Sequence, residues 1–284
     1  MSTQKSFSYL IELDKIFEEK RWKDKENYDN VFEALASFSN IIFQDDEEYD
    51  LILELLRNFH WVSLNDYYNN CHKLLLDLLA DLNHRNLNIY VFPIIKRRHQ
   101  NKVKSGSFVS YLLKSILPTI PNSEKIRFED INTFEEVEKL HFKKSDTFLL
   151  VDDFIGSGET LEECLKEIRQ INAEISKNLR IFTIAIRKET LEKNISNYSI
   201  YYSLEILKGI SDYNTGTTIQ QKKDLMKKIE NRIFNNIREF SLGFQESESL
   251  ITLLRTPDNT FPIFWNSYKK TIKLKPPFPR YEKV

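Results

Sequence analysis

The stretch from Asp146 to Ile171 constrains the fold of this 284-residue chain more than any other. It begins with an apolar run, Thr147 to Val151, of the kind that forms a buried strand. Two adjacent acids follow, Asp152 and Asp153, and then a short segment with two glycines. Beyond the glycines, apolar residues recur at helical spacing: Leu161, Leu165 and Ile168. The stretch therefore predicts a strand, a tight loop and a helix that Thr160 opens.

The predicted loop has the composition of an anion site. Glycine lets the backbone turn sharply and approach a ligand, and a helix start offers free amides and the positive end of the helix dipole. A ribose phosphate, unlike a bare phosphate, also calls for carboxylates, because they accept hydrogen bonds from sugar hydroxyls. We therefore expect Asp152 and Asp153 to hold the sugar of a ribose 5-phosphate moiety. The residues expected to line its phosphate are Ile155, Gly156, Ser157, Gly158, Glu159 and Thr160.

Two better-known phosphate motifs do not fit this loop. A P-loop has four residues between its glycines and a lysine after the second, whereas one residue separates the glycines here and Glu159 follows them. A dinucleotide fingerprint needs a third glycine, where Leu161 stands, and an acid about twenty residues further on. An ordinary strand-to-helix turn with an aspartate cap remains the alternative to an anion site.

The other patterns predict an α/β fold preceded by helices. Residues 1–85 have apolar residues at helical spacing, and residues 218–240 are expected to form a long helix before a proline-rich tail. Between them, four further apolar runs are typical of strands: Asn88 to Ile95, Ile126 to Glu129, Arg180 to Ile186 and Ser199 to Ile206. Strands that alternate with helices predict a doubly wound, mainly parallel sheet, whose ligands bind at the carboxyl ends of the strands.

Polar residues at these predicted strand ends are further candidates for the site. The basic segment Lys96 to Ser107 turns through Ser-Gly-Ser into a helix, which makes it a second candidate anion loop. Its expected ligand-binding residues are Lys104, Ser105, Gly106 and Ser107. A solvated connector is the alternative for this segment. Arg187 follows a later strand, and Lys208 and Asp212 follow the last one. For these three residues, a surface ion pair or a turn is the alternative.

Composition excludes several functional classes. Lys and Arg number 41 against 42 Asp and Glu, so no overall charge field favours nucleic acid or membrane. The first ten residues lack the apolar core of a signal peptide, and no run approaches the ~18 apolar residues of a membrane helix. We therefore expect a cytoplasmic protein without membrane contact. The two cysteines and five histidines show no zinc-type spacing.

The motifs resemble those of a known family. Four apolar residues, two acids, two further residues and Gly-Ser-Gly-Glu-Thr are similar to the phosphoribosyl pyrophosphate loop of type I phosphoribosyltransferases. The run Lys-Gly-Ile-Ser-Asp from Lys208 and the run Thr-Pro-Asp-Asn-Thr-Phe-Pro-Ile-Phe-Trp from Thr256 resemble a divergent branch. This branch, called PRTase-CE, occurs in prokaryotic conflict and antiviral operons. The likeness in motif order extends from about Phe59 to Arg280.

The resemblance implies a type I phosphoribosyltransferase-like core. Residues 1–85 would form a helical accessory or cap domain, and residues 86–284 the α/β domain with its C-terminal helix and proline-rich tail. The loop at Lys104 would bind the pyrophosphate half of phosphoribosyl pyrophosphate. Mg²⁺ would be held through the ligand near the acid pair and not directly by the protein. The implied catalytic residues are Asp152, Asp153, Lys104 and Arg187.

One departure from the family bears on activity. Type I enzymes carry a long mobile hood between their second and third core strands, whereas only Asp130 to Asp146 lies between the corresponding runs here. Water would compete with the acceptor unless the N-terminal helices or a partner covered the site. Three functions therefore stay open: a phosphoribosyltransferase with an unknown acceptor, a non-catalytic nucleotide or sugar-phosphate sensor that gates a partner in a defence complex, and a nucleic-acid-associated scaffold.

Overall fold

The structure, a computed structural model, describes residues 3–82, 87–100, 102, 104–193, 195 and 197–280. Three predicted features lie outside these residues: the domain boundary between 85 and 86, the basic-loop positions Asn101 and Val103, and the tail end 281–284. Over the described ranges, every helix is too short or too polar to cross a bilayer.

Helices and strands alternate through the middle of the chain. In chain order, the α-helices are α1 (Thr3–Glu19), α2 (Tyr28–Ile41), α3 (Asp46–Arg57), α4 (Leu64–Asp81), α5 (Ser105–Ile116), α6 (Phe134–Glu138), α7 (Glu159–Ile171), α8 (Lys188–Glu192) and α9 (Thr217–Ile233). The strands are β1 (His60–Trp61), β2 (Leu87–Pro93), β3 (Ile126–Asp130), β4 (Thr147–Ile155), β5 (Leu179–Arg187), β6 (Ser199–Ile206) and β7 (Ile251–Thr252). The N-terminal helices and all five strands expected around the acid pair are confirmed.

The chain divides into two compact units. The first contains Met1–Ser63 and Ile206–Val284, and the second contains Leu64–Glu205. The predicted domains, 1–85 and 86–284, follow the order of the chain, whereas the first unit is built from both of its ends. Helix α4 accounts for part of this difference, because it packs against α5 and β5 in the second unit.

The second unit is built around a five-stranded sheet with the order β3-β2-β4-β5-β6. β2 pairs in parallel with both β3 and β4, and β4 pairs in parallel with β5. Strands of a parallel sheet are covered on both faces, which explains why the run from Phe148 to Val151 is apolar and fully buried. The predicted α/β fold with a mainly parallel sheet, flanked by helices, is confirmed.

Helices α6 and α7 share an apolar core with the strands. Its members include Phe92, Phe134, Phe148, Cys164 and Ile168. Helix α5 packs against β2 and β4. Cys164 on α7 and Cys71 on α4 are both buried, and burial raises the pKa of each thiol to about 12. Both cysteines are therefore packing residues without thiolate chemistry.

The strand order places a topological switch point at one edge of the sheet. β2 lies between β3 and β4, so the winding of the chain reverses between β2 and β4. Ligands of open α/β sheets bind at such a switch point, outside the carboxyl ends of the strands. The segments that follow β2 and β4 are the two predicted anion loops.

The first unit is helical, with one short parallel pair, β1 with β7. Its core joins α1, α2, α3 and α9 to the C-terminal segment through residues such as Leu13, Phe17, Leu35, Phe38, Ile52, Leu55, Ile229, Phe261 and Phe264. Helix α9 ends at Ile233, before the predicted end at residue 240. The helix stops because Phe234 is extended (φ −114°, ψ 150°) and buries its ring beside Tyr268.

Candidate functional site

The adjacent acids Asp152 and Asp153 lie on β4 near its carboxyl end. The strand runs through both acids to Ile155, beyond the predicted end at Val151, because its last residues keep pairing with β5. In this register Asp152 is the partner of Thr183. The two carboxylates are therefore carried by a rigid, paired strand and not by the loop that follows it.

Asp152 is in contact with the second predicted anion loop. Its Oδ1 accepts a hydrogen bond from Ser105 Oγ, at the start of α5, at 2.5 Å, and one from the Asp153 backbone N–H at 2.9 Å. Burial and the neighbouring charge of Asp153 raise the pKa of Asp152 well above its ordinary range. Residues that are 47 positions apart in the sequence thus meet at the switch point.

Asp153 is held by a residue of α4. The Tyr67 hydroxyl donates a hydrogen bond to Asp153 Oδ2 at 2.7 Å, and the Asp153 side chain is buried. Burial raises the pKa of Asp153, and the hydrogen bond from Tyr67 acts against this rise. Since both acids have raised pKa values, a ligand that donates hydrogen bonds or brings positive charge stabilises their ionised forms.

The glycine loop ends at the first turn of α7, which begins at Glu159, just before Thr160. Gly158 has a φ of +85°, a left-handed conformation that favours glycine, and a Cβ there would lie 2.9 Å from Thr190 Cγ2. Thr190 also donates a hydrogen bond from Oγ1 to the carbonyl oxygen of Gly156 at 2.6 Å. The Glu159 side chain is exposed, and its backbone N–H donates to Ser157 Oγ at 3.5 Å. The other backbone amides in the first turn of α7 lie at the end of this loop.

The second loop reaches the same sheet edge through a close backbone approach. Helix α5 begins at Ser105, with Lys104 as the residue that precedes it. A Cβ on Gly106 would lie 2.5 Å from the carbonyl oxygen of Val151 and 2.9 Å from Pro93 Cβ. Glycine is therefore required for the first turn of α5, up to and including Ser107, to lie against the ends of β2 and β4.

Two of the basic side chains upstream of Lys104 are engaged by acids of α6 and α7. Lys96 Nζ lies 2.6 Å from Glu163 Oε1. The Arg97 guanidinium forms ion pairs with three carboxylates, those of Glu135, Glu138 and Glu167, at 3.4, 3.0 and 3.1 Å. These pairs neutralise part of the positive charge that a phosphodiester backbone would need in this loop.

The remaining predicted site residues fall in different units. Arg187 is the last residue of β5, is 6% exposed and lies 2.6 Å from Glu189 in an ion pair. It belongs to the same sheet edge as the glycine loop, because β5 pairs with β4. Lys208 and Asp212 belong to the first unit, where the Lys208 backbone N–H donates to Asp212 Oδ2 at 2.8 Å. In that unit Asp212 stabilises a turn.

Sequence reasoning missed two residues of the second unit that contact the site. Tyr67 lies in the apolar stripe of α4, and nothing in that stripe signals that its hydroxyl reaches an acid 86 positions away. Thr190 lies on α8, and its bond to Gly156 depends on the pairing of β4 with β5. Both contacts follow from the strand order, which a local pattern does not contain.

The acid pair fits Mg²⁺ only in an indirect arrangement. Mg²⁺ prefers oxygen ligands, keeps several waters and is often held by one or two carboxylates together with substrate phosphates. Across the described part of the chain, no cluster of three or more Asp, Glu, His or Cys side chains is suited to hold a metal ion. Asp152 and Asp153 suit an ion whose coordination is completed by a ligand's phosphates and by water.

The chain matches one protein family, PRTase-CE, over residues 35–280. No curated protein matches it. Among solved structures, it is similar to a hypoxanthine-guanine phosphoribosyltransferase from Bacillus anthracis, at 15% identity over 52% of this chain and 81% of that chain, with a TM-score of 0.35. The Schistosoma mansoni hypoxanthine-guanine phosphoribosyltransferase in complex with IMP shares 12% identity over 50% of this chain and 64% of that chain, with a TM-score of 0.31.

A third similar structure is the Helicobacter pylori xanthine-guanine-hypoxanthine phosphoribosyltransferase, at 13% identity over 54% of this chain and 95% of that chain, with a TM-score of 0.32. These distant likenesses do not identify the chain. The family match does, because residues 35–280 include the acid pair, the glycine loop and the start of α5. By this match, the chain belongs to the PRTase-CE family of phosphoribosyltransferase-like proteins.

Proposed function

We propose that this chain binds a ribose 5-phosphate group, in phosphoribosyl pyrophosphate or in a nucleotide. The observation that supports the proposal most is the 2.5 Å hydrogen bond from Ser105 Oγ to Asp152 Oδ1. It brings the start of α5 to the acid pair that precedes the glycine loop and α7. Two helix starts favour phosphate groups, and two carboxylates favour sugar hydroxyls, so the combination suits a sugar phosphate better than bare phosphate.

Each part of the site has a role in this proposal. The amides and hydroxyls from Gly156 to Thr160 bind the 5-phosphate, and the acid pair accepts hydrogen bonds from the ribose hydroxyls. The first turn of α5, with Lys104, binds a pyrophosphate on C1, and Arg187 adds positive charge at the same sheet edge. When bound near Asp152 and Asp153, Mg²⁺ would supply positive charge that stabilises departing pyrophosphate.

The short connection between β3 and β4 bears on two forms of this function. Residues 131–146 are fully described, and their regular structure is the five-residue helix α6. Without a hood, C1 of a bound ribose would be open to water unless another segment or a partner covered it, and access of water disfavours transfer to an acceptor. This observation favours a non-catalytic sensor of a nucleotide or sugar phosphate that gates a partner in a prokaryotic defence complex. Phosphoribosyl transfer to an unidentified acceptor is the catalytic form.

Pyrophosphate release separates the two forms. Calorimetry should first show that the protein binds phosphoribosyl pyrophosphate in the presence of Mg²⁺. Release of pyrophosphate with any of a panel of nucleobases then indicates a transferase, whereas binding without release indicates a sensor. Failure to bind both phosphoribosyl pyrophosphate and ribose 5-phosphate would contradict the proposed function.

Lys104→Ala should weaken the binding of phosphoribosyl pyrophosphate about tenfold more than the binding of ribose 5-phosphate. Only the first ligand carries the group that the α5 loop would bind, and one charge-assisted contact contributes about 1.5–3 kcal/mol. Lys102→Ala is the matched control, since Lys102 is an exposed lysine of the same segment, and it should leave both affinities unchanged. Equal losses for the two ligands in calorimetry would refute the role of Lys104.

A further inference from the structure

Tyr67 is the side chain of α4 that reaches the acid pair. It is 0% exposed, and its hydroxyl lies 2.7 Å from Asp153 Oδ2. A tyrosine hydroxyl buried to this extent needs a hydrogen-bond partner, and a carboxylate is a stronger acceptor than a neutral oxygen. The Tyr67 ring also packs edge-on against Phe108 of α5, with ring centroids 5.8 Å apart. These contacts fix the hydroxyl in one position relative to Asp153.

We propose that Tyr67 is a positioning residue of the sugar-phosphate site, which holds the Asp153 carboxylate in the orientation that accepts a ribose hydroxyl. This inference rests on the proposed function and extends it to a helix outside the strand-loop-helix motif. Asp152 is oriented differently, by Ser105 Oγ and the Asp153 backbone N–H. Ser105 also lowers the pKa of Asp153, after the larger effect of Tyr67, so α5 acts on both acids and α4 acts on Asp153 through Tyr67.

The environment of Asp153 explains why such a contact matters. The side chain is 8% exposed, so few waters are available to replace a lost hydrogen bond. Burial raises the pKa of Asp153, and the bond from Tyr67 opposes this rise. Removing the Tyr67 hydroxyl would leave the Asp153 carboxyl less ordered and more readily protonated. The carboxyl would then be a poorer acceptor for a sugar hydroxyl.

The chain offers a matched control on the same helix. Tyr201 OH donates to Asp81 Oδ2 at 2.8 Å, so a second Tyr–Asp hydrogen bond joins the other end of α4 to β6. Tyr201→Phe removes the same chemical group and the same type of contact away from the acid pair. A loss of binding caused only by weaker packing of α4 would appear in both variants.

A double-mutant cycle tests the proposal, with ribose 5-phosphate and inorganic phosphate titrated by calorimetry. Tyr67→Phe should weaken the binding of ribose 5-phosphate about tenfold and change the affinity for inorganic phosphate by less than about twofold. Its effect on ribose 5-phosphate should exceed any effect of Tyr201→Phe. In an Asp153→Asn background, the further loss caused by Tyr67→Phe should fall below about twofold, because a residue that acts through Asp153 has nothing left to position. An equal loss in both backgrounds, or no loss in either, would overturn the role of Tyr67.

A second measurement does not require the Tyr67→Phe variant to fold. In protein labelled with ¹³Cζ-tyrosine, the resonance that shifts on Asp153→Asn reports Tyr67. Ribose 5-phosphate should move this resonance in the wild-type protein, and inorganic phosphate should not. No movement with bound ribose 5-phosphate would overturn the inference while leaving the proposed function intact. If the wild type binds neither ribose 5-phosphate nor phosphoribosyl pyrophosphate, the proposed function falls and the inference falls with it.

Discussion

The double change Asp152→Asn and Asp153→Asn is expected to weaken ribose 5-phosphate binding by at least ~100-fold. Asparagine keeps the size and one acceptor oxygen but loses the charge, and charge-assisted hydrogen bonds contribute about 1.5–3 kcal/mol each.

The loss of binding in this double variant should not come from unfolding. Burial raises both pKa values above those of the unfolded chain, so the ionised pair costs stability as the pH rises through the folded values. Neutral amides avoid this cost, and the melting temperature at pH 8 should not fall.

Inorganic phosphate is the control ligand for this double variant. It would contact only the amides and hydroxyls of the glycine loop, and it gains from the removal of two nearby negative charges. Its affinity should stay the same or rise slightly, opposite to the response of the sugar phosphate. If the double variant binds phosphoribosyl pyrophosphate as the wild type does, the pair is a structural feature of the strand end and the proposed function loses its main support.

Gly158→Val is expected to weaken the binding of both ribose 5-phosphate and inorganic phosphate by ~100-fold or more. Both ligands would depend on the shape of the glycine loop. Valine at a φ of +85° is strained, and its Cβ would meet Thr190 Cγ2 at 2.9 Å. Movement of Thr190 would also break its 2.6 Å hydrogen bond to Gly156. Thermal unfolding should show a destabilisation of about 2 kcal/mol.

Gly216→Val provides the matched comparison for Gly158→Val. Gly216 also has a positive φ, +59°, but a Cβ there would have no atom within 4 Å, and it lies in the first unit. The backbone strain should be at least as large, because Gly216 (φ +59°, ψ −137°) lies outside the left-handed region that Gly158 (φ +85°, ψ −11°) occupies, while ligand affinity stays at the wild-type value. Equal loss of binding in both variants would show that Gly158 acts through general stability and not through the loop.

The parts of this protein that could be predicted from sequence are those encoded locally. Continuous apolar runs predicted the strands of the sheet, because parallel strands are covered on both faces. The local sequence predicted an acid pair, Asp152 and Asp153, followed by a tight turn at Gly156 and Gly158 and by a helix start. Gly158 does adopt a positive φ, just before α7 begins. The alternation of strands and helices also predicted a mainly parallel sheet whose ligands bind at the carboxyl ends of its strands.

The contacts that complete the candidate site could not be predicted in this way. The bonds to the acid pair and to the glycine loop join residues 47, 86 and 34 positions apart: Ser105 to Asp152, Tyr67 to Asp153 and Thr190 to Gly156. Each depends on strand order and on a hydroxyl whose direction no periodicity encodes. Even β4 was predicted too short, since polar acids interrupt an apolar pattern but not the backbone pairing with β5.

The division into units was also beyond local patterns. The N-terminal helices bury their apolar faces against α9 and the C-terminal segment, which lie far from them in the sequence. An ion pair between Glu54 and Lys222 likewise joins α3 to α9 across 168 positions. Helix α4, which has the same apolar spacing as α1 to α3, packs instead on the sheet. A covering role for α1 to α3, a cytoplasmic location and a defence partner stay predictions.

The most direct measurement of the central claim is a crystal of the protein soaked with phosphoribosyl pyrophosphate and Mg²⁺. We expect the 5-phosphate on the amides of the glycine loop, the ribose hydroxyls against Asp152 and Asp153, and the pyrophosphate at the first turn of α5. The Tyr67 and Ser105 hydrogen bonds to the pair should be retained. Ligand density away from the switch point, or phosphate at the glycine loop with the sugar turned away from both acids, would contradict the account.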